Sequence, residues 1–164
     1  MPITPELFRA ALGRFASGVT IVTTLDADGR PNGLTVSAFS SVSLEPPLVV
    51  IAIDRANDSG PAIRGCGRFN VHLLASEQES LSRCFGERPA GSVPFDGIAV
   101  AKDKHGLPVL PGALALLGCR LTQTVEAGDH TLFIAEVESI DVAEGEPLLY
   151  YRGLYRRLES GFPR

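Results

Sequence analysis

The chain has few cysteines, and none of them is spaced to hold a metal. Its 164 residues include three cysteines, Cys66, Cys84 and Cys119, which lie far apart in the sequence. No CxxC pair occurs, and such a pair is the usual start of a tetrahedral zinc site. Three widely spaced cysteines are typical of a protein from a reducing compartment, where disulfides are rare. Free cysteines of this kind usually pack as small apolar side chains. We therefore expect a cytoplasmic protein without a metal site.

Long apolar runs and basic clusters are also missing. The longest strongly apolar run, Leu48–Ile53, is far shorter than the roughly 20 residues that cross a bilayer. The N-terminus has no basic segment followed by an apolar one, so no signal peptide is predicted. The formal net charge is −4, and the one small basic cluster, Arg152, Arg156 and Arg157, is expected to be a solvated surface. We expect neither a membrane nor a nucleic-acid partner.

The common nucleotide-binding and hydrolase motifs are absent as well. The sequence has no GxxxxGK[ST], no GxGxxG between a strand and a helix, no GxSxG and no HExxH. Of its histidines, His72 lies in the middle of a predicted strand and is expected to be hydrogen-bonded internally. His105 lies in a turn and is expected to be exposed. With the scattered cysteines, the histidines make no convincing metal site.

An amphipathic helix is predicted at the start of the chain. Thr4 followed by Pro5 is typical of a helix N-cap and its first helical position. Two further short helices are expected, one near Ala62 and one around Leu81–Phe85. In the first helix, apolar residues recur at helical spacing: Leu7, Phe8, Ala11, Leu12 and Phe15.

Most of the remaining chain is predicted to form antiparallel strands. Turns such as Asp28-Gly29 and Glu126–Asp129 separate them closely, which argues against βαβ units. We expect the apolar run Leu48–Ile53 to be buried on both faces. About six strands with two or three helices suggest a closed or partly closed barrel. The predicted strands are Val19–Leu25, Val36–Leu44, Leu48–Ile53, Arg68–Leu74, Ala113–Val125, Thr131–Val142 and the short Pro147–Tyr151.

Two polar segments are candidates for ligand binding. Asn32–Pro47 is rich in hydroxyls, which can hold a phosphate together with backbone N–H groups where a strand ends in a loop. A half-exposed strand would have the same alternation. The second segment, Gly128–His130, places a histidine at the start of a strand, where it can face a cleft. An ordinary hairpin turn explains that pattern equally.

Four stretches taken together resemble the short-chain flavin reductase family, which includes the reductase components of two-component flavin monooxygenases. They are RFASGVTIVTT (Arg14–Thr24), NGLTVSAFSSVSLEPPLV (Asn32–Val49), GDHTLFIAEV (Gly128–Val137) and PLLYYRG (Pro147–Gly153). The stretches follow the family's order and cover nearly the whole chain, so residues 1–164 are expected to form a single domain. The resemblance implies a mainly β fold, a six-stranded antiparallel split β-barrel of Greek-key topology with a few short helices.

The resemblance also implies a flavin site and a nicotinamide site. His130 is expected beside the nicotinamide, with Tyr155 as a second contact. Two departures from the family stand out: the loop Arg55–Gly60 lacks the usual paired serines, and His72 occupies a position where asparagine is frequent. The expected flavin residues are Asn32, Gly33, Thr35, Val36, Ser37, Ala38, Ser40 and Ser41 in a ring-lining segment, and Asp54, Arg55, Asn57 and Ser59 in a loop near the ribityl and phosphate groups.

The activity implied by the resemblance is that of an NAD(P)H:flavin oxidoreductase. Hydride would pass from NADH or NADPH directly to FMN or FAD, so no catalytic side chain is expected. A flavin-dependent monooxygenase is the expected recipient of the reduced flavin. The family is usually homodimeric, and apolar residues on outer strand faces, such as Leu114, Leu116 and Leu117, also favour a homodimer. The alternatives are a non-catalytic flavin-binding or electron-transfer protein of the same fold, and an oxidase of pyridoxine-type substrates.

Overall fold

The fold is mainly β, as predicted. A computed structural model of the chain describes residues 2–87 and 95–158. No helix in these ranges is long and apolar enough to cross a membrane. The helices are α1 (Pro5–Leu12), α2 (Ser59–Cys66), a 3-10 helix (Ser76–Gln78) and α3 (Glu79–Gly86). The strands are β1 (Ser17–Gly18), β2 (Thr20–Leu25), β3 (Pro31–Val36), β4 (Phe39–Leu44), β5 (Pro47–Asp54), β6 (Arg68–Leu73), β7 (Ala101–Lys102), β8 (Pro108–Val109), β9 (Ala115–Ala127), β10 (His130–Val142), β11 (Leu149–Tyr151) and β12 (Leu154–Arg156).

The main sheet forms the barrel. Its seven strands run in the order β3-β2-β6-β9-β10-β5-β4, and all neighbouring pairs are antiparallel. The two edge strands, β3 and β4, are consecutive in the chain and are separated only by Ser37 and Ala38. The sheet must therefore curl until its edges approach each other, which produces the split barrel.

The strand predicted over Val36–Leu44 is partly correct. Phe39–Leu44 form β4, whereas Val36 is the last residue of β3 (Pro31–Val36), a strand that the sequence did not predict. Between Val36 and Phe39 the backbone leaves one sheet edge and enters the opposite edge. Local alternation could not reveal the break, because both halves are extended and rich in β-branched or hydroxyl residues.

Alternate strand residues fill the barrel interior. In β5 the inward-facing Val49, Ile51 and Ile53 are buried, whereas the residues between them are half-buried. They pack with residues such as Phe69 and Phe133, which are fully buried in the same cluster. The expectation that Leu48–Ile53 is buried on both faces is therefore corrected, because only one face of β5 contacts the core.

The two longest strands, β9 and β10, form a hairpin whose turn was correctly predicted. Each strand has 13 residues. His130 pairs with Ala127 across the two-residue connection Gly128-Asp129, and on its other side His130 pairs with Asp54 of β5. Gly128 has φ 63°, a left-handed conformation that glycine adopts without steric cost. The hairpin thus places His130 at one end of the barrel, next to the end of β5.

Helix α1 begins as predicted but buries none of its residues. The hydroxyl of Thr4 accepts a hydrogen bond from the N–H of Leu7 at 3.2 Å, which caps the helix. The carbonyl of Gly13, just after the helix, accepts a hydrogen bond from the N–H of Arg152 at 2.9 Å. This bond ties the end of α1 to the β11–β12 hairpin.

Exposed apolar side chains lie in and around α1, and others lie on strands, such as Leu44, Ile140 and Val142. Leu117 is buried, and Leu114 and Leu116 are half-buried, so the strand residues expected to be exposed are largely covered. The apolar side chains in and around α1 are instead 54–78% exposed. We call this group the α1 apolar surface; it consists of Ile3, Leu7, Phe8, Leu12 and Phe15.

His72 is a buried structural histidine, as its position in a strand predicted. Its side chain is fully buried in β6, with Nδ1 3.1 Å from the carbonyl oxygen of Ile21. Its Nε2 accepts a hydrogen bond from the N–H of Leu110 at 3.0 Å, so Nδ1 is the protonated nitrogen. Burial lowers the pKa of His72 from 6.5 to about 4, because a charged imidazole would lose its hydration.

Candidate functional site

A cavity of about 570 Å³ opens beside the split between the two sheet edges. Small-molecule sites typically measure roughly 300–1,000 Å³, so this volume is adequate for a cofactor. The cavity is bounded by the end of α1, the crossing from β3 to β4, the outer faces of β5 and β10, and the β11–β12 hairpin. The lining residues are Leu12, Gly13, Phe15, Ser17, Ser37, Ala38, Phe39, Ser40, Val50, Ala52, Leu132, Tyr150, Arg152 and Gly153.

The floor of this cavity suits a flat aromatic ring system. Val50 and Ala52 of β5 and Leu132 of β10 line the floor and point away from the core, because their neighbours Ile51 and Phe133 are fully buried. A floor of short apolar side chains leaves space for a planar ring, and serine hydroxyls elsewhere in the lining can bond its polar edge. The residues present therefore fit the isoalloxazine ring of a flavin.

The crossing from β3 to β4 contributes three of the predicted flavin residues to this cavity. Ser37, Ala38 and Ser40 line it. The carbonyl of Ala38 accepts a hydrogen bond from the N–H of Ala52 at 3.0 Å, which holds the crossing against β5. Ser41 is exposed on β4, and its carbonyl accepts a hydrogen bond from the hydroxyl of Ser40 at 3.0 Å.

The predicted flavin residues of β3 contact other parts of the protein and do not line the 570 Å³ cavity. Val36 is buried in the barrel core. A Cβ at Gly33 would lie 3.0 Å from the Phe85 ring and from a backbone carbonyl, so any other residue there would have to displace these neighbours slightly. The hydroxyl of Thr35 donates to the carbonyl of Ser82 at 2.6 Å, and Thr35 lines a second cavity of about 260 Å³.

The end of the loop after β5 is joined to β3 by a partly buried hydrogen bond. Ser59 is fully buried, and its hydroxyl donates to Oδ1 of Asn32 at 2.6 Å. Oδ1 of Asn57 accepts a hydrogen bond from the N–H of Ser59 at 2.9 Å, and Oδ1 of Asp54 accepts one from the N–H of Ala56 at 2.8 Å. The fold thus brings Asn32 and the loop together, with the hydroxyl of Ser59 bonded to protein.

A third cavity, about 220 Å³, lies beside the same loop and is bordered by Asp54 and Arg55. The carboxylate of Glu126 forms an ion pair with Arg64 there and lies 3.9 Å from the guanidinium of Arg55. The hydrogen bond from Arg64 holds the pKa of Glu126 below its usual range, so this carboxylate stays charged. The loop residues therefore border a different cavity from the one that Ser37 lines.

His130 is oriented by its neighbour in the sequence. It lies on the same face of β10 as Leu132, which is part of the floor of the 570 Å³ cavity. Nδ1 of His130 lies 2.7 Å from Oδ1 of Asp129, and this hydrogen bond lowers the pKa of Asp129. An imidazole held through Nδ1 presents Nε2 to a ligand.

Tyr155 lines the second cavity, away from His130. Its hydroxyl lies 2.8 Å from Oγ of Ser82, and the guanidinium carbon of Arg83 lies 4.8 Å from its ring centroid. Ser37 and Tyr150 line both the first and the second cavity, so the two adjoin. His130 lines none of the three cavities described here, whereas Tyr155 lines the second. The two predicted nicotinamide contacts are therefore not brought together.

Several lining residues were not found from the sequence. Val50, Ala52 and Leu132 have the alternation of ordinary strand residues, and alternation does not show which outer face borders a ligand. Phe15 fits the apolar stripe of the first helix, and Arg152 fits a solvated basic cluster. The only available signal for the β11–β12 hairpin was the motif Pro147–Gly153, which carries part of the family resemblance.

The comparison with protein families identifies this chain. Residues 12–159 match the family described as flavin reductase like domain, and the chain belongs to that family. An NADH-dependent flavin reductase of a Rhodococcus species is 41% identical over 159 residues, which cover 96% of this chain and 88% of that protein. A reductase subunit of a flavin-dependent monooxygenase, HsaB of Rhodococcus jostii, is also 41% identical, over 96% of this chain and 80% of its own length.

Solved structures share the fold along the whole length. Flavin reductase PheA2 superposes with a TM-score of 0.88 at 38% identity, covering 96% of this chain and all of its own (100%). The NADH:FAD oxidoreductase SgcE6 of Streptomyces globisporus, solved with NAD and FAD fragments, has a TM-score of 0.88 at 31% identity and covers 98% of each chain. The protein is thus an oxidoreductase, a flavin reductase with the split-barrel fold that the sequence predicted.

Proposed function

We propose that this flavin reductase oxidises NADH or NADPH and reduces FMN or FAD in the 570 Å³ cavity. The observation that carries the proposal is the apolar floor on the outer face of β5 and β10, with His130 on the same face of β10 as Leu132. Hydride transfer between the two rings is the chemistry that the bound cofactors supply. The chain's own residues bind and orient the rings, whose reacting atoms must come within roughly 3–3.5 Å.

The predicted flavin residues divide into contacts and supports under this proposal. Ser37, Ala38 and Ser40 contact the flavin directly, because they line the cavity. Asp54 and Arg55 border the neighbouring 220 Å³ cavity, so they and Asn57 contact the flavin only where its ribityl chain extends past the end of β5. Asn32 and Ser59 hold that loop in place through their hydrogen bond. Gly33, Thr35 and Val36 shape β3, and the carbonyl of Ser41 accepts the hydrogen bond of the Ser40 hydroxyl.

His130 contacts the nicotinamide in this proposal. Its Nδ1 is engaged by Asp129, so Nε2 can donate to or accept from the carboxamide. Tyr155 is a secondary contact that borders the adjoining cavity. The Arg83 guanidinium lies over its ring, so a cofactor that stacks on Tyr155 has to approach from the opposite face or displace Arg83.

The reduced flavin is proposed to leave the enzyme and reach a flavin-dependent monooxygenase. Monooxygenase reductase components are among the relatives, HsaB being one. In the described lining of the cavity, one residue, Arg152, has a charged side chain, which favours moderate affinity over permanent retention. Release of the product would then be part of each turnover. A cytoplasmic location completes this proposal, supported by the thiols of Cys66 and Cys119, which are not in disulfides.

A homodimer is also proposed, with the α1 apolar surface at the contact. A helix that buries none of its own residues gains little stability from packing unless another surface covers its apolar side. Leu12 and Phe15 belong both to that surface and to the cavity lining, so a partner covering α1 would also adjoin the cavity. The proposed contact therefore places the flavin site near the interface.

The central test is a steady-state assay with purified protein. FMN or FAD is mixed with NADH or NADPH, and the loss of the reduced nicotinamide absorbance is followed against a blank without protein. We expect oxidation that depends on protein, flavin and nucleotide together. A rate equal to the blank with all four pairs of cofactors would contradict the proposal.

A further inference from the structure

The turn between β11 and β12 has an unusual residue in its first position. Tyr151 pairs with Leu154, so the hairpin loop consists of two residues, Arg152 and Gly153. Both have positive φ, 52° for Arg152 and 77° for Gly153. Positive φ at both loop residues is what a two-residue type I′ hairpin requires, and Asn-Gly is the preferred pair. Among the described residues other than glycine, Arg152 alone has a positive φ.

Arginine in this conformation is strained. The left-handed region brings Cβ too close to the following carbonyl oxygen in residues other than glycine, and asparagine tolerates it better than longer side chains do. Backbone strain of this kind persists where the surrounding structure holds it, and it concentrates at functional sites. Here the N–H of Arg152 donates to the carbonyl of Gly13 at 2.9 Å, which fixes the turn against the end of α1.

The position of Arg152 explains why a charged residue could occupy this strained turn in place of asparagine. Both turn residues line the 570 Å³ cavity, and in the described lining Arg152 is the only charged side chain. The other lining side chains are apolar or carry neutral hydroxyls. The neighbouring basic residues Arg156 and Arg157 are exposed and do not line this cavity. A solvated basic surface would need no strained backbone, so the conformation separates Arg152 from the other two arginines.

We propose that Arg152 binds a phosphate group of the nucleotide cofactor held in this cavity, either the flavin phosphate or the pyrophosphate of the nicotinamide nucleotide. The inference rests on the proposed function, because it takes this cavity as the cofactor site. A guanidinium offers two parallel N–H donors that match phosphate oxygens, and it keeps its charge at all working pH values. The strained turn places Arg152 in the lining of the cavity, whereas an Asn-Gly turn at the same position would carry no charge.

The test compares three variants with the wild-type enzyme. Arg152→Asn removes the charge and suits the left-handed turn, whereas Arg152→Lys keeps both the charge and the strain. Arg156→Asn is the matched control, because it removes a charge from the same hairpin outside the cavity. For each protein we would measure the affinities for FMN and riboflavin by quenching of flavin fluorescence, the KM for the nicotinamide nucleotide at saturating flavin, and the melting temperature.

Two results would support the assignment and identify the phosphate. Arg152→Asn is expected to weaken FMN binding about 10–100-fold while riboflavin binding changes less than about twofold, which assigns the flavin phosphate. Unchanged binding of both flavins with a KM for the nucleotide raised about 10-fold or more would assign the pyrophosphate. In either case Arg152→Asn should melt about 2–4 °C higher than wild type because the turn is relaxed, and Arg152→Lys should keep most of the affinity.

Other results would contradict the assignment of Arg152 to a phosphate group. Equal weakening of FMN and riboflavin would mean that Arg152 contacts the ring and not a phosphate. No change in either affinity or in KM, or the same change in Arg156→Asn, would leave Arg152 as a turn residue only. The proposed function fails separately: if wild type does not oxidise the nucleotide while Arg152→Asn still loses FMN, the phosphate assignment stands without the activity. If wild type is active and Arg152→Asn binds normally, the phosphate assignment alone fails.

Discussion

Oδ1 of Asp129 lies 2.7 Å from Nδ1 of His130, so the two residues on either side of the start of β10 are hydrogen-bonded to each other. The bond keeps the pKa of Asp129 below its usual range, and the imidazole therefore has a charged acceptor beside it. A ring oriented in this way has one nitrogen committed to the protein and one directed to a ligand. The pair gives His130 the fixed geometry that contact with a nicotinamide would need.

The first prediction concerns His130. Replacement by alanine should lower kcat/KM for the nicotinamide nucleotide about 10–100-fold, because a well-aligned hydrogen bond contributes about 1–3 kcal/mol. Flavin affinity, measured by fluorescence quenching in the same variant, should be unchanged. Asp129→Asn is the companion variant, since it keeps a hydrogen-bond acceptor but removes its charge, and its effect should be smaller. A loss of flavin affinity with normal nucleotide kinetics would assign His130 to the flavin instead.

The second prediction concerns the hydrogen bond between Ser59 and Asn32. Ser59→Ala should lower the free energy of unfolding by about 1 kcal/mol, because Oδ1 of the half-buried Asn32 loses the hydroxyl of the fully buried Ser59 as its donor. Ser40→Ala is the control: its hydroxyl is exposed and lines the cavity, so stability should change by less than about 0.5 kcal/mol. Urea unfolding of both variants measures the difference. Equal losses would show that this hydrogen bond does not hold the loop.

The third prediction is a pH dependence of stability caused by His72. Its pKa is about 4 in the folded chain against an ordinary 6.5, so the unfolded state binds the proton first as the pH falls. This contribution is fully present above pH 6.5 and is lost as the pH falls from 6.5 toward about 4, up to a total of about 3 kcal/mol.

Urea unfolding of wild type and His72→Asn, measured between about pH 4 and pH 6.5, tests whether His72 causes this pH dependence. The asparagine variant should be less stable near neutrality, because Leu110 and Ile21 lose the imidazole as a hydrogen-bond partner. Its stability should also fall less steeply toward acid pH. Parallel curves for the two proteins would show that His72 does not cause the pH dependence.

The fourth prediction concerns the α1 apolar surface. We expect wild type to be a dimer by light scattering at micromolar concentration and Leu7→Glu to be a monomer, because a carboxylate would be desolvated at the contact. Leu7 is 61% exposed in the single chain and lies outside the described cavity lining, so folding and the cavity should be retained. Val142→Glu is the control, since Val142 is 80% exposed at the far end of β10. A monomeric wild type, or a dimer lost only in Val142→Glu, would contradict this contact.

The sequence predicted the local elements well where local chemistry decides them. The cap at Thr4 and the turn at Gly128-Asp129 depend on a few neighbouring residues, and both occur as expected. His72 was predicted to be satisfied inside a strand, and its two ring nitrogens are hydrogen-bonded. Hydroxyls in Asn32–Pro47 marked the crossing segment, although not the point at which it leaves one strand for another.

The site itself depended on contacts between distant parts of the chain. Ser59 could be named from the sequence, but its bond to Asn32, 27 positions away, appears only when β3 and α2 pack together. Arg152 looked like one of three solvated arginines. Its place in the cavity lining follows from the β11–β12 hairpin meeting Gly13 at the end of α1.

By itself, the sequence determined where most of the long strands lie, where most turns fall and which residue types are available for a cofactor. These properties follow from side-chain periodicity and from backbone preferences that act over a few residues. The tertiary structure alone decided that Ser37 and Ala38 span the gap between two sheet edges, and that Val50 faces a cavity while Ile51 faces the core. Those outcomes depend on how seven strands pair and curl, which is set by contacts between residues far apart in the chain and not by any local pattern.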